Sequence, residues 1–151
     1  MSSSWPVSLT PYSRKAEKHM ILYTKDGFKT AQYAGPGTHL LKRLKRGDPG
    51  LTETDITSKA HDIRYTLAQS PSAVREADQK MVATLNRIQK NKEDYLVNIL
   101  TAKGAIKLKM ALEDLGMSRT AFTSYGTKLS TSDRELLIKN ESKLTQKGYG
   151  L

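Results

Sequence analysis

Apolar residues recur at helical spacing from Thr54 onward. Positions three or four residues apart form one stripe, made of Ile56, Ala60, Ile63 and Leu67. Such spacing places the stripe on one face of a helix. His61 and Tyr65 fall on an adjacent stripe, so this helix is predicted to carry polar side chains directly beside its apolar face.

Ser70-Pro71 interrupts the pattern, because proline cannot continue a helix but fits the first position of a new one. A second helix is therefore predicted over residues 71–90. Asp78 lies on its inner face, and a buried carboxylate needs a hydrogen-bonding or charged partner. The other residues of that face are apolar: Val74, Met81, Leu85 and Ile88.

Two further helices are predicted towards the C-terminus. The first covers residues 93–116, with Gly104 as a weak point and Gly116 as a stop, and the second covers residues 132–144, with Ser132 as its cap. Large apolar residues of the second half are expected in the core: Met81, Leu85, Ile88, Leu96, Ile99, Leu100, Leu112 and Leu115.

The N-terminal part has a weaker pattern. Residues 1–11 are predicted to be a leader and residues 12–23 a short helix that ends before Asp26-Gly27. Residues 32–39 are predicted to form a loop, because Gly-Pro-Gly can continue neither a helix nor a central strand. No alternation typical of strands stands out, so the fold is predicted to be mainly α.

These elements predict three regions. An N-terminal leader with a short helix covers residues 1–30, a core covers residues 31–90, and a helical segment with a tail covers residues 91–151. A chain of 151 residues suits one domain. It has no stretch typical of a signal peptide and none long enough to cross a bilayer, so neither is expected.

Composition narrows the chemistry. The absence of cysteine excludes disulfides and thiolate metal sites, so any metal must be bound by oxygen or imidazole. The formal net charge of +10 predicts attraction to a polyanion, either nucleic acid or an anionic membrane surface.

The segment at residues 40–46, Leu-Leu-Lys-Arg-Leu-Lys-Arg, concentrates this charge. Its basic side chains could form a solvated face, anchor the protein to anionic lipid, or bind nucleic acid. In the lipid interpretation, Leu40, Leu41 and Leu44 would dip into the membrane interface, and each nearby basic residue would add about 1 kcal/mol.

His61 and Asp78 are predicted to meet. His61 lies nine residues before Ser70 and Asp78 seven after Pro71, so an antiparallel helix pair places them at a similar height. A hydrogen bond between them would satisfy the carboxylate, fix the imidazole tautomer and leave the other ring nitrogen available as a base.

Asp62 points about 100° away from His61 around the same helix, so it cannot share that partner. It can face the loop at residues 33–37, Tyr-Ala-Gly-Pro-Gly, whose glycines allow backbone carbonyls to turn inward. A carboxylate with backbone carbonyls is a hard oxygen ligand set of the kind that calcium prefers.

These segments resemble the phospholipase A2 domains of parvovirus minor capsid proteins. The loop at residues 33–37 is similar to their calcium loop, and residues 61–65, His-Asp-Ile-Arg-Tyr, are similar to their catalytic helix. Asp55 and Asp78 also fit the family pattern, as does the lack of cysteine. The resemblance covers about residues 33–90 and implies a calcium-dependent enzyme with a phospholipase A2-like fold.

The resemblance also implies a role for each matching residue. His61 would be the general base on a water molecule, Asp78 would orient it, and Tyr65 would support Asp78 through its hydroxyl group. Calcium would be bound by the Asp62 carboxylate and by three backbone carbonyls, those of Tyr33, Gly35 and Gly37. The substrate would be the sn-2 ester of a glycerophospholipid, attacked at a membrane surface.

The family role implies a viral protein that breaches an endosomal membrane during entry, located in the virion or at that membrane, with the capsid as a partner. A second hypothesis stays open. The chain could be a catalytically silent, basic helical module that binds nucleic acid or capsid. In that case His61 would be an ordinary helix histidine and residues 33–37 a plain turn.

Overall fold

A computed structural model describes residues 19–35, 39–116 and 128–150. In this part of the chain the protein is mainly helical, as predicted, with a small antiparallel hairpin. The elements in chain order are β1 (Ile21–Thr24), β2 (Gly27–Thr30), α1 (Leu40–Arg46), α2 (Glu53–Leu67), α3 (Pro71–Lys90), α4 (Leu96–Asp114) and α5 (Thr131–Gln146).

Helices α2 and α3 form the antiparallel pair at the centre of the molecule. Thr52 caps α2 by accepting a hydrogen bond from the amide of Asp55, and Ser70 caps α3 in the same way through the amide of Ala73. Capping side chains satisfy amide groups that have no partner within the helix. These two caps therefore fix the starts of α2 and α3.

The other two long helices pack on opposite members of this pair. Helix α4 lies against α3, where Leu85, Ile88 and Ile99 are buried together. Helix α5 lies against α2, where Ile63, Leu137 and other apolar residues form a second cluster. The C-terminal helices thus complete the core of the helix pair.

The structure corrects the prediction of a short helix over residues 12–23. Residues 12–18 lie outside the described part, but residues 21–24 form strand β1, which pairs with β2 so that Tyr23 faces Phe28. Gly27 has φ of +101° and closes the turn after Asp26. An Asp-Gly pair between short runs rich in β-branched and aromatic residues was the signal for this hairpin.

The predicted core is corrected at three leucines. Four of the predicted residues are buried: Met81, Leu85, Ile88 and Ile99. Leu96, Leu100 and Leu115 are exposed, because they lie near the ends of α4 or on its outer side. Helix α4 is apolar around much of its circumference, so periodicity could not identify its inner face. The inner face instead contains Asn98, Ala102, Ile106 and Lys109.

The membrane contact predicted for the leucines of residues 40–46 is also corrected. Leu40 and Leu44 are buried in the core and Leu41 packs against it, so these leucines do not face a membrane. Arg43 and Arg46 both form ion pairs with Asp48, which follows the helix. The two arginines thus share one carboxylate, which balances one of their two positive charges, and Lys45 forms a further ion pair with Asp133.

None of the helices in the described residues combines the length and apolar character that crossing a bilayer requires.

Candidate active site

The predicted hydrogen bond between His61 and Asp78 is present. Nε2 of His61 lies 2.8 Å from Oδ1 of Asp78, across the α2–α3 pair. Asp78 is completely buried and His61 is almost so. Because an ionised carboxylate only accepts hydrogen bonds, Nε2 is the donor, and Nδ1 is the nitrogen that can exchange a proton with another group.

Lys109 on α4 is a second partner of Asp78. Its ammonium group lies 2.9 Å from Oδ2 of Asp78, so the two oxygens of the carboxylate are held by different side chains. Lys109 is itself buried and also donates to Glu113, at 2.6 Å. The site is therefore a buried line of alternating charges rather than a single histidine–aspartate pair.

Tyr65 was predicted to support Asp78 through its hydroxyl group. In the structure that hydroxyl donates to Oε2 of Glu113, at 3.1 Å, and the centre of the tyrosine ring lies 4.4 Å from the ammonium group of Lys109. Tyr65 also packs beside the imidazole of His61. Glu113 and Lys109 therefore link the hydroxyl of Tyr65 to Asp78.

The surroundings of His61 and Asp78 favour their charged forms. Burial disfavours a charged imidazole, but the nearby carboxylate of Asp62 and the hydrogen bond to Asp78 outweigh burial and raise the pKa of His61. Burial likewise disfavours a charged carboxylate, but hydrogen bonds from His61 and Lys109 outweigh it and lower the pKa of Asp78. Asp78 is thus ionised when His61 exchanges a proton.

Asp62 lies on the opposite side of the imidazole from Asp78. Its Oδ1 is 3.8 Å from Nδ1 of His61, and its side chain is about a quarter exposed. The exchangeable nitrogen of His61 and the carboxylate of Asp62 therefore face the same space, in keeping with their positions around α2.

A second buried carboxylate, Asp55, organises the loop before α1. It accepts hydrogen bonds from the amides of Gln32, Tyr33 and Ala34, each at 2.9 Å, and from the amide of Leu51 at 3.0 Å. Three consecutive amides converging on one carboxylate force the loop to curl around it. The resemblance included Asp55 in the family pattern, but the sequence did not predict this clamp.

The curled loop has the donor chemistry that a calcium site needs. The amide of Ala34 points to Asp55, so the carbonyl of Tyr33, which belongs to the same trans peptide, points away from it. Gly35 has φ of +116°, a conformation that favours glycine. Carbonyl oxygens of this loop and a carboxylate such as that of Asp62 are hard oxygen ligands, which would fit calcium. The fourth predicted ligand, Gly37, lies outside the described residues.

Within the described ranges, no three His, Asp or Glu side chains gather in an arrangement that would hold a metal. The predicted calcium ligands include only one such side chain, Asp62, with backbone carbonyls for the rest. The predicted site therefore depends on the backbone of the glycine loop more than on a cluster of side chains.

Sequence reasoning missed Lys109 and Glu113, although a signal existed. The inner stripe of α4 runs through Ile99, Ala102 and Ile106 and then continues at the same spacing into these two charged residues. Asp78 interrupts the apolar face of α3 in the same manner. Charged residues of opposite sign that interrupt the inner faces of neighbouring helices are candidates to pair with each other.

No protein-family model, no curated protein and no solved structure matches this chain. Assignment of function therefore depends on the residues and their geometry.

Proposed function

We propose that the protein is a calcium-dependent phospholipase A2, which hydrolyses the sn-2 ester of glycerophospholipids. The observation that carries the proposal is the hydrogen bond between His61 and Asp78, which fixes the imidazole so that Nδ1 faces the Asp62 carboxylate. The same side chains carry the resemblance to the parvovirus domains. The Asp55 clamp on the glycine loop adds support, because it orders the backbone that would bind calcium.

In the proposed mechanism His61 is the catalytic residue. Its neutral imidazole takes a proton from water at Nδ1 while the water oxygen bonds to the ester carbonyl carbon. The imidazolium then gives the proton to the departing glycerol oxygen, so the products are a fatty acid and a lysophospholipid. Asp78 is a positioning residue, because it holds Nε2 and stabilises the imidazolium through an ionised carboxylate.

The residues that would hold calcium are Asp62, through its carboxylate, and Tyr33, Gly35 and Gly37, through their carbonyls. When bound, the ion polarises the ester carbonyl and stabilises the negative charge that develops on its oxygen. Lys109 and Tyr65 do not touch the substrate in this proposal. They keep Asp78 in place, with Glu113 as their common partner.

The biological setting follows from the resemblance. We propose a viral protein that acts on a host endosomal membrane during entry and is carried in the virion. The net charge of +10 suits an enzyme that works on anionic lipid. Contact with a capsid is part of the same proposal.

The deciding experiment measures fatty-acid release from vesicles of phosphatidylcholine and phosphatidylglycerol, with calcium and with a chelator. We expect release of the sn-2 chain only with calcium. His61→Ala should abolish turnover and keep calcium affinity, whereas Asp62→Asn should abolish both. Asp114→Asn is the matched control, because this exposed carboxylate lies outside the proposed site and its loss should leave both quantities unchanged.

Near-full activity in a folded His61→Ala variant would refute the mechanism. No release from the folded wild-type protein under either condition would favour the alternative, a catalytically silent basic module. Binding to DNA with a steep dependence on salt would then support that alternative directly.

A further inference from the structure

Tyr33, the first residue of the glycine loop, is held at both ends. Its backbone amide donates to Oδ1 of Asp55, at 2.9 Å. At the far end of the side chain, the phenol hydroxyl donates to the backbone carbonyl of Asp48, at 2.5 Å. The ring is completely buried and belongs to the same apolar cluster as Leu40 and Ile63. The peptide that follows Tyr33 therefore has little freedom to turn.

Gln32, the preceding residue, is held in the same way. Its amide donates to Oδ2 of Asp55, at 2.9 Å, and its side-chain Oε1 accepts from the amide of Gly50, at 2.7 Å. Two consecutive residues are thus tied at the backbone to one carboxylate and at the side chain to residues 48–50, here named the Asp-Pro-Gly segment. Because the two attachment points lie on different segments of the chain, they fix the orientation of each residue as well as its position.

Asp48 is itself anchored to two helices. Its carboxylate forms ion pairs with Arg43 and Arg46 of α1, at 3.1 Å and 2.6 Å. Its carbonyl oxygen, the acceptor for Tyr33, also accepts from the ammonium group of Lys59 on α2, at 3.3 Å. A carbonyl oxygen has two lone pairs, so it can accept both hydrogen bonds at once. The acceptor of the phenol is therefore fixed relative to both α1 and α2.

Gly50 is anchored by close packing on α2. Its φ is +97°, a conformation that favours glycine. A Cβ atom at this position would also lie 2.8 Å from a side-chain carbon of Ile56, which is closer than van der Waals contact. The backbone of Gly50 thus rests directly on the first turn of α2 and presents its amide to Gln32 from a fixed position.

We propose that Tyr33 acts through its side chain as a positioning residue of the calcium site, besides supplying a carbonyl ligand. The bond to Asp48 and the bond to Asp55 together fix the direction of that carbonyl before the ion arrives. Ligands that are already in place bind more tightly, because less conformational entropy is lost on binding. Gln32 supports the preceding peptide in the same way through Gly50. Calcium itself belongs to the proposed function, on which this positioning role rests.

The test is isothermal titration calorimetry of the whole chain with calcium alone. Tyr33→Phe keeps the backbone carbonyl and the buried ring but removes the hydroxyl, so it should weaken calcium binding about 10-fold. Gln32→Met removes the acceptor for Gly50 and should weaken binding by a similar factor. The double variant should bind about 100-fold more weakly, because the two side chains hold different peptides.

Tyr149→Phe is the matched control. Tyr149 is also buried, belongs to the same apolar cluster as Tyr33, and donates its hydroxyl to Glu53, at 2.6 Å. Each single variant loses one short hydrogen bond of a buried tyrosine, so the two melting temperatures should fall by similar amounts. Tyr149→Phe should nevertheless bind calcium within about twofold of the wild type, because its hydroxyl does not hold the loop.

Hydrogen exchange at the amides of residues 32–34, measured with a chelator present, gives a second readout that needs no calcium. Local opening of the loop should make these amides exchange about 10-fold faster in Tyr33→Phe than in Tyr149→Phe. Equal exchange rates in the two variants would overturn the positioning role. Equal losses of calcium affinity would also overturn it, because affinity would then follow overall stability.

The wild-type titration separates this role from the proposed function. Calcium binding by the wild type with an unchanged affinity in Tyr33→Phe would refute the positioning role alone. Absence of calcium binding to the folded wild-type protein would refute the proposed function and the positioning role together.

Discussion

Asp55 and Asp78 are both carboxylates that solvent does not reach, but their partners differ in kind. Asp55 is held by four backbone amides, which carry no net charge and whose positions depend on the course of the chain. Asp78 is held by the side chains of His61 and Lys109, which can both be charged. One carboxylate shapes the backbone, and the other sets the charge state of a reactive group.

The difference indicates that Asp55 and Asp78 have different roles, one in folding and one in activity. A carboxylate surrounded by amides can be removed only by disturbing the loop, so Asp55 is expected to act chiefly on folding. A carboxylate between an imidazole and an ammonium group can be removed with the helices still in place. Changes around Asp78 are therefore expected to separate stability from activity more clearly.

The largest effect is expected from Asp55→Asn, because a side-chain amide cannot accept from four converging N–H groups. At least two donors would lose their partner, and the free energy of unfolding should fall by about 4 kcal/mol. Chemical denaturation followed by circular dichroism measures this value.

Asp133→Asn is a closely matched control. Asp133 lies at the same position of α5 as Asp55 does of α2, three residues after a capping side chain, but at the surface. Its partner Lys45 is mostly exposed and its own side chain is about a quarter exposed, so loss of this ion pair should cost less than about 1 kcal/mol. Equal losses in the two variants would mean that Asp55 acts only as a helix-capping residue.

Asp78→Asn should lower the free energy of unfolding by about 3 kcal/mol near pH 5.5, because two buried cationic groups lose their shared counterion. Since the folded-state pKa of Asp78 is lowered, its carboxylate stabilises the fold above its ordinary pKa of 3.8, and this contribution is lost as the pH falls through the lowered value. The difference between wild type and variant should therefore shrink at about pH 3.

Denaturation curves at the two pH values test this prediction. A difference that stays constant or grows towards acid pH would contradict an ionised Asp78. Fatty-acid release by the folded variant, measured near neutral pH, should also fall by about 100-fold or more if Asp78 orients His61.

Lys109→Met should have a smaller effect, about 2 kcal/mol, because Asp78 keeps its hydrogen bond to His61. The methionine side chain also fills most of the volume that the lysine stem leaves. Lys107→Met is the matched control, since Lys107 is exposed two residues earlier on the same helix, and it should change stability by less than about 0.5 kcal/mol. Indistinguishable melting temperatures for the two variants would rule out a supporting role of Lys109.

The helix pair was predictable because its signals are local. Helical spacing, Ser70 as a cap and Pro71 as a first residue define α2 and α3. In the antiparallel pair His61 and Asp78 then lie at the same level along the helix axes and form a hydrogen bond. The charged line beyond Asp78 depends on how α4 packs, and nothing local to α3 encodes that arrangement. The apolar outer side of α4 hid its inner face, and so Lys109 was missed.

The hairpin and α1, by contrast, were predicted wrongly. Asp26-Gly27 resembles a helix end, because Met20, Ile21 and Leu22 follow helix-forming residues. In the structure these residues instead belong to a hairpin, in which Tyr23 pairs with Phe28 across the two strands. In α1 the lipid interpretation places the leucines in a membrane, whereas tertiary packing against α2 and α5 buries them. Both errors concern partners that lie outside the local pattern, which periodicity cannot specify.

The smallest expected effect is that of Tyr65→Phe, which removes one hydroxyl from the far end of the charged line. Glu113 would lose one hydrogen bond but keep its ion pair with Lys109, so stability should fall by about 1 kcal/mol. Tyr95→Phe, at an exposed tyrosine whose hydroxyl is not part of the line, should change it by less than about 0.5 kcal/mol. If Tyr65 supports Asp78 only through Lys109, adding Tyr65→Phe to Lys109→Met should cost less than the single change does in wild type. Additive losses would instead mean that the hydroxyl acts independently of the line.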